Sequence, residues 1–401
     1  MKTNEYGIGS IIQMYAKGPQ DLDLYSNGKT FFETDYKTHT LFVPWYENLT
    51  LFKDANFGEI YTFVIPNQRK LVINKMYFNI KLPNLDSNVK WKNHIGYRIL
   101  KNVKILVNSE VLNEYDGKFL YIYSQLNTEE IKLKNISEMT GGEEINGNKK
   151  ELYIEIPFFF NQFFPILGLD RTEIKIEVEF EKLENLCINE LSTQINKLVN
   201  FKITPTQDGV KTSITPFFNQ FFSNGEELTN KIDLVVFIDY CVLLEEQEIS
   251  MLMTKHQSYL YYNIETFKDI ITNDIYTTDL PFNIPIKQII FVFESDDYIF
   301  EPFDNFSILL NSSETQFSRD SKYFHLVQSF YYNKRIPDKK IYSYSFCIDP
   351  GNLHPSGSVH FGKLAKKSIT IKGAINKKLI LYAIGYNVLE ISNGECLITF
   401  N

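Results

Sequence analysis

The chain has 401 residues, enough for two domains of ordinary size that each bury a core of their own. Apolar residues make up 44% of the sequence and aromatic residues 15%, so strand formers are abundant and the composition argues against an intrinsically disordered chain. The formal net charge of −8 argues against a protein that wraps nucleic acid with its whole surface.

Cysteine usage and hydropathy indicate a soluble protein of a reducing compartment. Cys187, Cys241, Cys347 and Cys396 lie far apart and form no CxxC or Cys/His metal spacing. The first ten residues carry no apolar stretch of the kind found in secretory signals. Apolar runs are only about five residues long, far short of the roughly 20 that span a bilayer.

Strand-like patterns dominate the first half of the chain. The predicted strands are residues 60–65, 71–82, 99–107, 152–160 and 173–180. The last of these is the clearest, because Ile174, Ile176 and Val178 alternate with charged residues. Such alternation places one face of a strand on a core and the other in water.

One helix is predicted in this half. Phe119, Ile122, Tyr123 and Leu126 recur at i, i+3, i+4 and i+7, which is typical of a short amphipathic helix over residues 116–126. The charged, glycine-containing residues 127–150 that follow are expected to form a loop on the surface.

A change of character over residues 183–230 indicates a connection between two domains. Pro205 and Pro216 mark turns there, and the stretch is largely polar. We therefore predict an N-terminal arm over residues 1–19, a first domain over 20–182, a connection over 183–230 and a second domain over 231–401. The similar runs at residues 157–164 and 216–222 hint at a duplicated architecture but are too short to establish it.

The second half repeats the strand-rich pattern. The predicted strands are residues 234–240, 286–293, 307–310, 341–347, 368–371, 379–388 and 396–400. A helix is expected near residues 245–255, with Ile249, Leu252 and Met253 on one face.

The most distinctive stretch is residues 341–364. It begins as a strand with Tyr342, Tyr344 and Phe346 on one face and small residues on the other, the pattern of a half-buried strand. Two breaks with turn chemistry follow, Asp-Pro-Gly-Asn at 349–352 and His-Pro-Ser-Gly-Ser at 354–358.

Residue patterns that would support catalysis or metal binding are weak. The six histidines have no metal-ligand spacing, and no GxSxG sequence is present. Asp296 and Asp297 are more typical of a solvated turn than of an acid/base pair. We therefore predict no enzyme, no metal and no cofactor.

A lysine-rich region at residues 363–378 has two interpretations. It could be a solvated sheet face, or it could face anionic lipid or nucleic acid inside a particle.

The motifs along the chain, in order, resemble those of the double jelly-roll major capsid proteins of nucleocytoplasmic large DNA viruses. The matching residues are Gln20, Asp21, Phe31, Phe32, His39, Trp91, Asp239, Pro285, Arg319, Tyr344, Phe346, Pro350, Pro355, Ser356, Gly357, Tyr386 and Asn387. The chain also departs from the pattern. Residues 329–332 stand where the family has a Pro-Tyr-Gln sequence, and Gly362-Lys363 stands where Ser-Arg is usual.

The resemblance implies an all-β fold: two consecutive eight-stranded antiparallel jelly rolls with short inserted helices. It implies a structural protein of the virion, assembled in the host cytoplasm, whose homotrimers form pseudo-hexameric capsomers that tile an icosahedral or related shell. Its partners would be itself and neighbouring capsomers, with minor capsid or cement proteins and an underlying membrane in addition, and no sequence-specific nucleic acid. Short loops predict a low, plain outer surface.

Two other roles stay open on the sequence alone. Divergent motifs suit a paralogous minor capsid subunit or a membrane-shaping assembly scaffold. A jelly-roll carbohydrate-binding module is a further alternative, although no acidic calcium-binding run is present.

Overall fold

The computed structural model describes most of the chain from residue 38 onwards. The described residues are 38–49, 52–66, 71–85, 89–142, 145–146, 150–157, 163–169, 171–189, 231–311, 317–352, 354–392 and 394–399. The predicted arm and the motif residues Gln20, Asp21, Phe31 and Phe32 lie outside these ranges.

The described residues of the first half form thirteen strands and four short α-helices. The strands are β1 (Phe42–Asn48), β2 (Phe52–Asn56), β3 (Ile60–Ile65), β4 (Leu71–Lys81), β5 (Val89–Trp91), β6 (Leu100–Val107), β7 (Glu110–Tyr115), β8 (Ile145–Asn146), β9 (Glu151–Glu155), β10 (Phe164–Pro165), β11 (Ile174–Phe180), β12 (Cys187–Asn189) and β13 (Lys231–Leu243). The helices are α1 (Ile95–Arg98), α2 (Gly117–Asn127), α3 (Leu133–Thr140) and α4 (Leu183–Leu186).

Ten of these strands form two facing antiparallel sheets with the topology of a jelly roll, here called roll 1, and β12, β5 and β8 form a small third sheet. One sheet has the order β1-β13-β4-β10, with β9 also paired to β4, and the other has the order β3-β11-β6-β7. Numbered along the chain, the eight principal strands are β1, β3, β4, β6, β7, β9, β11 and β13, and they have the order 1-8-3-6 in one sheet and 2-7-4-5 in the other. This is the Greek-key arrangement of a jelly roll.

The eighth strand of roll 1 is β13, so the domain boundary predicted at residue 230 is wrong. β13 pairs with β4 over ten residue pairs, from Asp233 opposite Lys81 to Val242 opposite Leu71. Its alternating residues Leu234, Val236 and Ile238 are fully buried in the core of roll 1. The alternation predicted a strand, but the sheet that it joins depends on tertiary pairing. Roll 1 therefore extends to Leu243.

The predicted connection over residues 183–230 accordingly lies between the seventh and eighth strands of roll 1. Its first part is structured, since β12 pairs with β5 and Leu186 is buried. Residues 190–230 are outside the described ranges.

In the part of roll 2 that the structure describes there are eleven strands and two α-helices. The strands are β14 (Gln257–Ile270), β15 (Ile275–Asp279), β16 (Pro285–Asp296), β17 (Ile299–Phe300), β18 (Asn305–Leu310), β19 (Phe317–Arg319), β20 (Tyr342–Ser345), β21 (Val359–His360), β22 (Lys367–Lys372), β23 (Lys378–Ser392) and β24 (Glu395–Ile398). Helix α5 (Glu246–Thr254) leads into the roll, and a π-helical turn (Tyr323–Val327) runs directly into α6 (Gln328–Tyr332).

Roll 2 repeats the topology of roll 1, which confirms the double jelly roll. One sheet has the order β14-β23-β16, with β20 and β21 paired to β16, and the other has the order β15-β22-β18-β19. With β14 as first strand and β23 as eighth, the order is again 1-8-3-6 and 2-7-4-5. The sequence patterns missed the first two strands, β14 and β15.

Two predicted helices are present, and two other local predictions differ from the structure. Helices α2 and α5 are confirmed, and Ile249 of α5 is buried with Leu252 and Met253 packed beside it. The surface loop predicted over residues 127–150 is wrong in part, because α3 forms there. The strand predicted at 341–347 is confirmed as β20, but its predicted half-burial is wrong, since Tyr342 and Ser343 on its opposite faces are both fully buried.

Two further features bear on function. All four cysteines are free thiols, and burial raises the pKa of Cys187 and Cys396 to about 12. Within the described part of the chain, no helix is both long and apolar enough to cross a membrane.

Candidate functional site at the contact between the two rolls

The two rolls contact each other through different surfaces. Roll 2 uses the outer face of its β14-β23-β16 sheet: Ile290, Ile380 and Ile384 are buried in one cluster with the core of roll 1. Their neighbours Phe291 and Leu381 point the other way, into the core of roll 2. Strands β16 and β23 are thus buried on both faces, which explains their nearly continuous apolar sequence.

Roll 1 contributes helix α2 and the strand before it to this contact. Asp116 caps the helix by accepting a hydrogen bond of 2.8 Å from the backbone N–H of Phe119. Gly117 allows α2 to start close to α1, because a Cβ there would lie 1.7 Å from the carbonyl oxygen of Tyr97. The cap at Asp116 and the missing side chain at Gly117 therefore determine where α2 begins.

Asp116 also binds roll 2. Its Oδ1 accepts a hydrogen bond of 2.9 Å from the hydroxyl of Tyr382 in β23, and its Oδ2 lies 2.7 Å from Nζ of Lys268 in β14. The Phe119 and Tyr382 rings pack with their centroids 5.2 Å apart. Burial, followed by the charge of Asp116, raises the pKa of Tyr382 well above its ordinary value of 10, so the hydroxyl remains a donor.

An ion-pair cluster lies next to this bond, largely buried at Lys118, Glu294 and Arg98 and half exposed at Asp297. Lys118 of α2 pairs with Glu294 at the end of β16, where the two side chains are 16% and 7% exposed, and lies 3.6 Å from Asp297. Arg98 of roll 1 binds the same Asp297 and lies 4.0 Å above the ring of Tyr298. Tyr298 has a φ of 61°, a conformation that places its ring under Arg98 and its N–H 2.9 Å from Glu294.

The C-terminal end of α2 is held by a third contact. Arg335 of roll 2, almost fully buried, donates to the carbonyl oxygen of Gln125 at 2.6 Å and pairs with Glu130 at 3.1 Å. The backbone N–H of Lys334 donates to the carbonyl oxygen of Leu126 at 3.1 Å. Helix α2 is consequently fixed to roll 2 at both ends, and the two rolls cannot rotate against each other without breaking buried polar contacts.

A buried lysine anchors the first turn of the distinctive motif. Lys287 of β16 donates a hydrogen bond of 2.8 Å to the carbonyl oxygen of Pro350, and its ammonium lies 3.3 Å from the centre of the Tyr262 ring. The hydroxyl of Tyr262 donates to the carbonyl oxygen of Asn352 at 2.8 Å. Burial lowers the pKa of Lys287 from 10.5 to about 7. The turn is thus fixed to the outer face of the roll 2 sheet.

The second turn is folded against the first. The hydroxyl of Ser356 accepts a hydrogen bond of 2.9 Å from the N–H of Asp349 and donates one of 3.1 Å to its carbonyl oxygen. Gly357 has a φ of 146°, and a Cβ there would lie 3.1 Å from Cα of Cys347. Only glycine suits that position.

A cleft of about 360 Å³ opens beside these turns, between α2, α3, β9 and roll 2. Tyrosines 97, 123, 153 and 262 line it, together with Glu155 and Lys334. Among the described residues, no group of three or more His, Cys, Asp or Glu side chains could hold a metal ion. Most polar groups of the contact are engaged with one another, which suits a mechanical role. Oδ1 of Asn113 is an exception: it is buried without a hydrogen-bond partner among the described residues.

The structure brings together only some of the motif residues. Pro350, Ser356, Gly357, Tyr386 and Asn387 lie in or beside the two turns, with Tyr386 packed 5.8 Å from Tyr262. Tyr344 and Phe346 pack on each other at 5.0 Å in the core of roll 2, Pro355 is exposed, and Pro285 begins β16.

The remaining motif residues are dispersed. Trp91 is fully buried in roll 1, Asp239 lies on the outer face of β13, and Arg319 is exposed at the end of β19. His39 is exposed, with its ring nitrogen 2.9 Å from the carbonyl oxygen of Thr40.

The lysine-rich region predicted at residues 363–378 is not one patch. Lys367, at the start of β22, donates to the side chain of Asn283, whereas Lys377, beyond the end of β22, donates to the carbonyl oxygen of Pro302. The six residues of β22 separate the two groups of lysines by about 20 Å.

Sequence reasoning missed the residues that hold the rolls together. Asp116, Lys118, Glu294 and Asp297 each find partners more than 170 positions away. One signal was available: Lys287 and Glu294 are charged residues inside an apolar strand, and buried charges are normally paired.

Comparison with known protein families matches nearly the whole chain. A family described as the major capsid protein N-terminus matches residues 30–240, and a family described as the large eukaryotic DNA virus major capsid protein matches residues 244–396. The border between the two matches coincides with the end of β13, as the strand pairing requires.

Individual relatives cover the same extent. The chain is 24% identical to a probable capsid protein 4 of Acanthamoeba polyphaga mimivirus, over 96% of this chain and 97% of that protein. It is 21% identical to the major capsid protein of Pyramimonas orientalis virus, over 96% and 98%. The mimivirus alignment has 504 positions, 103 more than the 401 residues here, so that protein carries insertions that this chain lacks.

Solved structures share the fold. The PBCV-1 virus capsid protein superposes with a TM-score of 0.74 at 17% identity, covering 93% of this chain and all of that one. The Faustovirus major capsid protein superposes with a TM-score of 0.68 at 13% identity, covering 96% and 97%.

Proposed function

The chain belongs to the major capsid protein family of the large eukaryotic DNA viruses, and on that premise we propose that it is the building block of a pseudo-hexagonal shell. Three copies associate about a threefold axis into a capsomer, and capsomers pack side by side in the virion. The observation that carries this proposal is the duplication of one jelly-roll topology within a single chain.

The physical reason is geometric. A trimer of chains with one roll each has three corners, which do not fill a hexagonal lattice. Two rolls of the same topology in each chain give the trimer six similar corners. The contacts of a capsomer with its six neighbours in a hexagonal lattice can then be nearly equivalent. This requires the two rolls to keep a constant angle, and the ion pairs from Asp116, Lys118 and Arg335 supply that constraint.

The shell-building role needs no catalytic step. Its chemistry is the burial of apolar surface between copies, with charged residues at the rim that fix the register of association. We propose a low outer surface for the capsomer, because the chain lacks insertions that the mimivirus relative carries.

Further partners are part of the proposal. The exposed lysines at the two ends of β22 are suited to minor capsid or cement proteins and to an anionic membrane under the shell. Assembly takes place in the host cytoplasm, where the four free thiols remain reduced.

The mass of the purified chain in solution tests the proposal. Light scattering should give about three times the chain mass of 47.0 kDa, which is 141 kDa, over a wide concentration range. Sheets or shells at higher concentration would favour a lattice-forming subunit, and vesicle remodelling without a regular lattice would favour the scaffold role. A monomer at every concentration would contradict the trimer.

A further inference from the structure

The duplication of the rolls extends to a helix after the fifth strand. In roll 1, Asp116-Gly117-Lys118-Phe119 starts α2 directly after β7. In roll 2, Asp320-Ser321-Lys322-Tyr323 starts the helical segment 321–332 directly after β19. Each aspartate caps its helix by accepting a hydrogen bond from the backbone N–H three residues further along the chain. The distances are 2.8 Å from Phe119 to Asp116 and 3.0 Å from Tyr323 to Asp320. Segment 321–332 is therefore the counterpart of α2.

The two counterparts differ in what covers them. Helix α2 is covered by roll 2, whereas segment 321–332 exposes four large apolar side chains, here called the helix patch. Leu326 and Val327 are each 42% exposed, Phe330 is 70% exposed and Tyr331 is 71% exposed. Residues 326–331 include no Asp, Glu, Lys or Arg. An uncharged aromatic patch of this kind is typical of the centre of a protein–protein interface.

The surface that covers α2 also has a counterpart. In roll 2 that surface is the outer face of the sheet β14-β23-β16, and in roll 1 the corresponding sheet is β1-β13-β4. Its outer face carries Tyr46, Phe237 and Tyr77, here called the sheet patch. Tyr46 is 77% exposed, and the half-buried Phe237 and Tyr77 stack with ring centroids 5.2 Å apart. Among the described residues, no roll packs on this face, and helix α5 covers only its end at Val72 and Cys241.

Among the described residues, β1 pairs with β13 alone, and its other edge favours side-chain packing over strand pairing. Leu49 donates a backbone hydrogen bond to Val236 of β13, and Leu41 accepts one from Leu244, the residue after β13. In this register the backbone groups of the even-numbered residues of β1, including Pro44, point away from β13. Pro44 has no N–H, and a proline in an edge strand interrupts the addition of a further strand. The sheet patch is thus adapted to receive side chains from a partner.

We propose that the helix patch of one chain packs on the sheet patch of the next chain around the threefold axis. The inference rests on the proposed trimer. A ring of three two-roll chains alternates roll 1 and roll 2, so every contact between chains joins roll 2 of one copy to roll 1 of its neighbour. The contact within the chain is then the template, with α2 replaced by segment 321–332 and β14-β23-β16 replaced by β1-β13-β4.

The contact within the chain supports a second copy as the occupant, because it already joins a helix after the fifth strand of one roll to the outer face of such a sheet. The named side chains of both patches are uncharged. Asp239 and Lys75 lie beside Tyr46 on the sheet, as Lys268 does in the contact within the chain. The contact joins two different surfaces and closes after three steps, as a heterologous cyclic interface requires.

Disulfide trapping tests this contact. We would prepare the double variant Tyr46→Cys/Tyr331→Cys, both single variants, and the control pair Tyr46→Cys/Ile299→Cys, in which Ile299 is an exposed residue of β17. After mild oxidation, the double variant should run as covalent dimers and trimers on a non-reducing gel, while the single variants and the control pair should stay monomeric.

A second variant checks the energetics. Phe330→Glu/Tyr331→Glu should reduce the mass by light scattering from 141 to 47 kDa, while Ile131→Glu, at a residue 90% exposed on roll 1, should leave it unchanged. Wild-type trimers without cross-links in the double variant would overturn the contact and leave the trimer intact. A monomeric wild type would overturn both proposals.

Discussion

The hydroxyl of Tyr382, in the last long strand of roll 2, donates a hydrogen bond of 2.9 Å to Asp116, the residue that caps helix α2 of roll 1. One carboxylate therefore starts a helix and holds two domains together. Its counterpart in roll 2, Asp320, caps the equivalent helix and is exposed. The pair of aspartates separates the effect of capping from the effect of the contact between rolls.

Replacing Asp116 by Ala should destabilise the chain by about 3 kcal/mol, of which about 1 kcal/mol is the lost cap and the rest the lost bonds to Tyr382 and Lys268. The matched variant Asp320→Ala loses only a cap and should cost about 1 kcal/mol. Chemical denaturation of both variants measures the difference. Equal losses would show that Asp116 contributes nothing beyond its helix.

The buried pair of Lys118 and Glu294 gives a second prediction. Lys118→Met leaves a buried carboxylate without its main partner and should cost about 3 kcal/mol. The double variant Lys118→Met/Glu294→Gln should cost less than the sum of the two single variants, because neither charge is then left unpaired. Lys101→Met, which removes an exposed partner of Glu179, should cost less than about 1 kcal/mol. Additive losses at Lys118 and Glu294 would contradict a coupled pair.

Lys287 should make stability depend on pH. Burial lowers its pKa from 10.5 to about 7, so between these values the unfolded chain binds a proton that the folded chain does not. Stability from this group is fully present above pH 10.5 and is lost as the pH falls through about 7, with a slope of up to about 1.4 kcal/mol per pH unit.

The difference in unfolding free energy between wild type and Lys287→Met isolates this effect. It should shift in favour of wild type as the pH rises from about 7.5 to 9, a window below the ionisation of unfolded tyrosines near pH 10. The exposed residue Lys366 provides a control, since Lys366→Met should follow wild type over the same range. A difference independent of pH would contradict the lowered pKa.

Two glycines of the motif turns should respond differently to substitution. Gly357→Ala places a Cβ 3.1 Å from Cα of Cys347 at a φ of 146° and should cost about 2 to 3 kcal/mol. At Gly351 a Cβ would meet only Oδ1 of Asp349 at 3.4 Å, so Gly351→Ala should change stability by less than about 1 kcal/mol. Thermal unfolding of the two variants compares them directly, and similar melting temperatures would contradict the role of Gly357.

The strands of the fold were largely predictable, and their partners were not. Strand β11 alternates apolar and charged residues because only one of its faces is buried, and this alternation identifies it as a strand from sequence alone. Strand β13 has an equally clear pattern, yet its assignment to roll 1 depends on backbone pairing with β4, from which more than 150 positions separate it. Strand β14 was missed because polar residues such as Asn263 and Glu265 interrupt its apolar pattern.

The contact between the rolls could be anticipated only in part. Charged residues within the apolar strand β16 indicated a buried polar contact, but Lys118 and Arg335, which complete it, lie in segments that resemble ordinary amphipathic surface. The repeated Asp-x-Lys-aromatic sequence at residues 116 and 320 was visible in the sequence. The equivalence of the two helices becomes evident only from the fold, because both copies of the repeat follow the fifth strand of a roll.

Class averages from electron microscopy of the purified oligomer test the central claim most directly. The account predicts particles of 141 kDa with six similar lobes around a threefold axis, two lobes from each chain. Particles with only the two lobes of a single chain, or with twofold symmetry, would contradict a pseudo-hexagonal capsomer.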